Sequence, residues 1–147
     1  MGPQNGVSLF VIGLTVVALI IVSILYPRTI QEYWRRSCMG IAWKRTFPQA
    51  SKDEIRQFLC MFVDAFAFPK RRALQFAPTD RVLAIYRGLY PLKGWPDALE
   101  LETFALRLDQ RYALDLRKIW REELTLGEIF SRINSPSAQQ SLERSQF

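Results

Sequence analysis

The sequence predicts an all-α protein in which one apolar helix precedes a small helical domain. Three observations predict it. Residues 7 to 26, VSLFVIGLTVVALIIVSILY, contain no charged side chain. From Ser51 onward, apolar residues recur every three or four positions, the period of a helix with one buried face. No stretch alternates polar and apolar residues for long enough to build a sheet.

The first element is the charge-free run. At ~1.5 Å per residue, its length matches the ~30 Å hydrocarbon core of a bilayer, so residues 1–27 are read as a tail and a single transmembrane anchor. A cleaved signal peptide would need a basic start, a shorter apolar core and small residues before the cut. MGPQNG has no Lys or Arg, and Ser23-Ile24-Leu25 is not a small-residue site. Basic residues close to a span stay on the cytoplasmic side. None precedes this one, and Arg28, Arg35, Arg36, Lys44 and Arg45 follow it. The N-terminus is therefore expected outside, with everything after Pro27 on the cytoplasmic side of the cell's inner (plasma) membrane.

Residues 28–50 come next as a basic, aromatic juxtamembrane segment. Ile30, Tyr33, Trp34, Ser37 and Ile41 fall on one helical face, with Arg35 and Arg36 off it. Rings and cations together suit the headgroup zone. Arg28, Tyr33, Trp34, Arg35, Arg36, Trp43, Lys44 and Arg45 are the expected membrane-interface residues, either selecting anionic lipid or only leaning on the surface.

The folded domain is expected over 51–134. Ser51-Lys52-Asp53-Glu54 is a capping box, followed by the stripe Ile55, Phe58, Leu59, Phe62 and Phe66. A loop broken by Pro69 and Pro78 carries Lys70, Arg71 and Arg72, a solvated turn or a contact to an anionic leaflet. Thr79 or Asp80 can cap a short helix with Val82, Ile85, Tyr86 and Leu89. Pro96 suits the first turn of a helix running to about Tyr112, with Leu101, Phe104, Ala105, Leu108 and Tyr112 inward. A short turn spans Lys118 to Trp120. Thr125-Leu126-Gly127-Glu128 is a second capping box, opening a helix with Leu126, Ile129, Phe130 and Ile133 inward. Residues 135–147 are polar and read as a disordered tail.

Charge and residue usage narrow the chemistry. The net charge is +6, but residues 27–50 hold five basic groups against Glu32, while 51–134 hold fourteen basic against twelve acidic. The excess thus lies where an anchor would place it, and no nucleic acid is expected as a partner. Cys38 and Cys60 are too far apart for a local metal or redox motif. The chain has no His, which closes His-based triads, His-ligated zinc and the commonest general base. No metal and no cofactor are expected.

The order of elements after Ser51, together with Leu92, Gly94, Asp97, Leu99 and Tyr112 around the helix that runs to about Tyr112 and LTLGEIF from Leu124 to Phe130, resembles an acyl carrier protein over about residues 53 to 133. The resemblance implies a small helical bundle whose second main helix recognises partners. In that family a serine at the start of this helix carries phosphopantetheine. Here the position is Ala98, and a methyl group cannot be a nucleophile. Thr103 lies more than a turn further on and on another heading. Carriers are also strongly acidic along this helix, whereas Arg107 and Arg111 interrupt Asp97, Glu100, Glu102 and Asp109 here. The chain is similar in this to serine-less carrier-like domains of bacterial proteins.

Leu99 and Leu106, seven apart, head away from the main stripe of this helix. They are either covered by neighbouring elements or form a second apolar seam for a partner, with Trp95 as a loop plug or part of that seam. The expected function is that of a non-catalytic interaction module, held at the bilayer and meeting a cytoplasmic or membrane protein through Trp95, Leu99 and Leu106. The alternative is a membrane-tethered acyl carrier of lipid or fatty-acid metabolism with another attachment residue.

Overall fold

The computed structural model describes the backbone of residues 4–90 and 98–135, with side chains at 11–21, 30–90 and 98–135. The described residues form an all-α chain: α1 (Gln4–Trp34), α2 (Gly40–Thr46), α3 (Lys52–Ala65), a 3-10 helix (Lys70–Gln75), α4 (Val82–Leu89), α5 (Leu99–Tyr112), α6 (Leu116–Ile119) and α7 (Leu126–Ile133). The only pairing of extended backbone among them is an isolated bridge between Arg81 and Thr125.

α1 is one helix of 31 residues. Val11, Ile12, Leu14, Val16, Val17, Leu19, Ile20 and Ile21 are all exposed, and at helical spacing they point in every direction. This stretch has no polar face and is covered by no other described residue. The Thr15 hydroxyl donates back to Val11 O at 2.7 Å, satisfied within its own helix. Among the described residues no helix is long and apolar enough to cross a membrane. The flanks of the charge-free run, at 7–10 and 22–26, lie outside the described side chains.

The core is aromatic and begins earlier than the sequence suggests. It gathers Ile30, Trp43 and Ala50 with Phe58, Phe62, Phe76, Phe104, Leu108 and Phe130. Trp43 is 0% exposed. Its indole packs on Phe58 and Phe130, and Nε1 donates to Phe76 O at 2.8 Å. Tyr33 meets Phe76, and Trp34 packs edge-on to Phe68 and Phe76. Residues 30–50 thus contribute to the core of the domain rather than forming a separate segment.

Several of the expected interface residues have partners within the domain. Arg36 Nη1 reaches both carboxylate oxygens of Asp80 at 2.7 Å, and its guanidinium lies 4.5 Å from the Tyr33 ring centre. The hydrogen bond to Asp80 raises the Arg36 pKa, while burial and then Asp80 raise that of Tyr33. Lys44 Nζ donates to Pro48 O and Ala50 O, closing the turn into α3. The common face of Ile30, Tyr33, Trp34, Ser37 and Ile41 is broken, because α1 ends at Trp34 and a new helix starts at Gly40. Ile41 consequently points to solvent. Arg35 and Arg45 are exposed, and the Arg28 side chain lies outside the described residues. Asp80 does not cap α4 either: it accepts Ala77 N at 2.7 Å and Arg36, and Arg81 is the N-cap residue without a side-chain bond.

Both capping boxes form. Ser51 and Glu54 exchange bonds at the start of α3, and Thr125 and Glu128 do so at α7. The backbone N–H of Ser51 and that of Thr125, respectively, are the largest causes lowering the pKa of Glu54 and Glu128. A carboxylate with a lowered folded pKa contributes stability above its unfolded value and loses it as pH falls through the folded value. Glu54→Gln/Glu128→Gln should therefore melt more like its own neutral-pH form below about pH 4.3, the ordinary glutamate value. Parallel acid melts of the two proteins read this directly, and identical acid slopes would dismiss the carboxylates' role.

α7 is tied to the loop before α4 by Leu126 N to Asp80 O (3.0 Å) and Gly127 N to Pro78 O (2.8 Å). A Cβ on Gly127 would stand 2.8 Å from Pro78 O, a backbone atom, and 3.0 Å from Cβ of the rigid Pro78 ring. Alanine normally favours a helix over glycine by ~1 kcal/mol. Here the sign should reverse, with Gly127→Ala costing about 1–3 kcal/mol as overpacking. A urea midpoint above wild type would contradict it.

Candidate functional site

α5 carries two faces of different fate. Its amphipathic sequence turns Phe104 and Leu108 inward, both fully buried, where Phe104 packs on Phe58, Phe62 and Phe66. α5 lies antiparallel to α3, with Arg107 ion-paired to Asp64 and Arg111 donating to Gln57. Leu99 is 59% and Leu106 56% exposed, so no described element covers them. Trp95 lies outside the described residues.

The helix ends because Ala113 turns left-handed at φ 50°, with its N–H bonding to Asp109 O at 2.9 Å. That turn sends the chain back as α6, capped by Asp115, whose carboxylate accepts Arg117 N at 3.0 Å. Between α5 and α6 opens a groove of about 590 Å³. Leu101, Ala105, Leu106, Leu116 and Trp120 supply its apolar lining, while Glu102, Asp109, Asp115 and Arg117 also border it. Leu116 and Trp120 were missed as site residues. Their signal was the apolar set Leu116, Ile119 and Trp120 after Asp115, which reads as an ordinary short turn.

At the start of α5, Ala98 is the N-cap residue with no side-chain bond, and its carbonyl accepts Glu102 N at 2.8 Å. It offers no hydroxyl to modify. Glu100 Oε1 accepts the Tyr90 hydroxyl, which ties the end of α4 to the start of α5. Its Oε2 is buried without a hydrogen-bond partner among the described residues.

The groove combines an apolar floor with a charged rim. Its polar groups are carboxylates and one guanidinium, and it presents no thiol, hydroxyl or imidazole. Among the described residues, no three His, Cys, Asp or Glu side chains are grouped to hold a metal ion. Arg35, Arg36, Lys44 and Arg45 are not among the residues lining this groove. Of the expected partner residues, Leu106 lines the groove and Leu99 stands two turns before it on the same helix. No family model, curated protein or solved structure matches the chain.

Proposed function

We propose that this chain is a single-pass membrane protein presenting a serine-less, carrier-like helical domain to the cytoplasm as a non-catalytic interaction module. The observation that supports the interaction role is the pair Leu99 and Leu106, exposed among the described residues on a helix that buries Phe104 and Leu108 on its other side. Large apolar side chains left beside a groove mark a surface for association. The anchor reading is supported by the charge-free run of 7–26 and by the all-round exposed apolar surface of residues 11–21. A helix apolar on every side is stable in water only when something apolar surrounds it. The carrier-like reading rests on the succession α3, 3-10 helix, α4, α5, α6, α7 and on the motif residues around α5.

Two measurements on the full chain test this. Intact mass after co-expression with a phosphopantetheinyl transferase should equal the sequence mass, because Ala98 has no oxygen to attack coenzyme A. A gain of one phosphopantetheine would replace the module with the tethered carrier. A photo-crosslinker at Thr103, on α5 between the two leucines, should give a discrete adduct in native membranes. That adduct should vanish in Leu99→Asp/Leu106→Asp. An adduct indifferent to both leucines would remove them from the interaction surface.

A further inference from the structure

The face of α5 that borders the groove alternates leucine and acid. Leu99, Glu102, Leu106 and Asp109 follow one another at spacings of three, four and three, so they share one side of the helix. Glu102 and Asp109 stand about two turns apart, ~10 Å at helical rise, with Leu106 between them. Both acids are exposed, and among the described residues neither carboxylate has a hydrogen bond or an ion pair. The cations of the same helix are engaged elsewhere. Arg107 is paired with Asp64, and Arg111 donates to Gln57, both on α3.

The opposite wall of the groove is balanced in charge. Asp115 accepts Arg117 N, and its carboxylate lies 3.7 Å from the Arg117 guanidinium and 3.9 Å from Lys118 Nζ. Leu116 is buried there, and Trp120 keeps 39% of its surface exposed. The uncompensated charge of the groove is therefore negative and runs along α5. It does so within residues 51–134, where fourteen basic groups outnumber twelve acidic ones. An acidic rim beside an apolar floor selects by sign. An anionic membrane surface is repelled by it. A second copy laying its own α5 face here would set carboxylates against carboxylates, and like charges across an interface cost affinity.

We infer that the groove between α5 and α6 takes one amphipathic helix of a partner protein, with basic side chains two turns apart meeting Glu102 and Asp109 and an apolar side chain between them meeting Leu106 and Trp120. A helix laid in a groove presents side chains at i, i+3, i+4 and i+7. The step from i to i+7 is the same two turns that separate the two carboxylates. The cations steer encounter and fix the register, while the apolar contact supplies most of the affinity. The inference rests on the interaction-module reading and names the chemistry of its partner.

The test uses the full chain in a neutral maltoside detergent and two fluorescein-labelled helical peptides, titrated by anisotropy. Both peptides carry leucines at helical spacing. One has lysines at i and i+7 beside them, and the other has glutamates at those positions. The lysine peptide should bind saturably, and the glutamate peptide about tenfold more weakly. Glu102→Gln/Asp109→Gln should weaken the lysine peptide by about two- to fivefold per site, the range of exposed ion pairs. Glu102→Lys/Asp109→Lys should invert the preference with wild-type melting, since both positions are exposed. If both peptides bind wild type equally and Leu106→Asp abolishes both, the charge matching is wrong and the apolar surface stands. If neither binds wild type, or Leu106→Asp leaves lysine-peptide binding intact, no helix docks in this groove. The Thr103 crosslink then decides by itself whether the domain meets a partner.

Discussion

A fragment beginning at Ser51 will not fold, and Trp43→Ala in the full chain will lose about 3–5 kcal/mol. Both follow from the position of Trp43 between three elements that are distant in sequence. Its indole contacts Phe58 of α3 and Phe130 of α7, and its Nε1 donates to Phe76 O after the 3-10 helix. Without residues 30–50, the fragment lacks Ile30, Trp43 and Ala50 from the core, and Tyr33, Trp34 and Phe47 packed against it. Each aromatic side chain buries about 150–250 Å², at roughly 25 cal/mol per Å². Several such losses exceed the 5–15 kcal/mol by which domains are ordinarily stable. Trp43→Phe isolates one part of this. The ring volume is largely kept, but the Phe76 carbonyl loses its indole donor, at a cost of about 1–3 kcal/mol. Near-ultraviolet circular dichroism and urea titration of 51–135 beside 30–135 measure the effect. A cooperative transition of the shorter fragment at the midpoint of the longer one would falsify the central place of Trp43.

Local signals were legible and distant pairings were not. Ser51 with Glu54 and Thr125 with Glu128 placed the starts of α3 and α7, since a capping box joins residues only three apart. The stripes of α3, α5 and α7 named most of their core residues, because helical period alone decides which face is apolar. Residues 30–50 read as bilayer interface because rings beside cations suit a headgroup zone and a core margin equally well. The deciding partners, Phe76 for Trp43 and Asp80 for Arg36, lie 33 and 44 residues away. Asp80 shows the same limit at one residue. An acid just before a helix reads as a cap, yet a cation from the end of α1 takes both its oxygens. At the site, the outward heading of Leu99 and Leu106 came from helical geometry. Whether anything covered them depended on where the left-handed turn at Ala113 sends α6, and no local pattern in the sequence states that.

Two leucines of α5 should part company with their buried neighbours under mutation. Phe104→Ala should cost about 3–5 kcal/mol and Leu108→Ala about 2–5 kcal/mol, since both side chains are fully buried and leave cavities. Leu99→Asp/Leu106→Asp should shift stability by only about 0.5 kcal/mol per site, because both residues are more than half exposed. The same double change should remove partner capture, since a few apolar anchors carry most of an interface's energy. Leu106 borders the groove with Trp120, so Leu106→Asp alone should account for most of the lost protein capture. Trp120→Ala should follow it with little change in melting, as the ring is 39% exposed. Thermal melts and the Thr103 crosslink, measured on the same five variants, separate the outcomes. The informative pattern is lost crosslinking with wild-type melting at 106, against lowered melting at 104 and 108. If Leu106→Asp melts as low as Leu108→Ala, its side chain is covered in solution and the groove is packing rather than a surface. If it melts as wild type and still crosslinks fully, the partner meets the domain elsewhere.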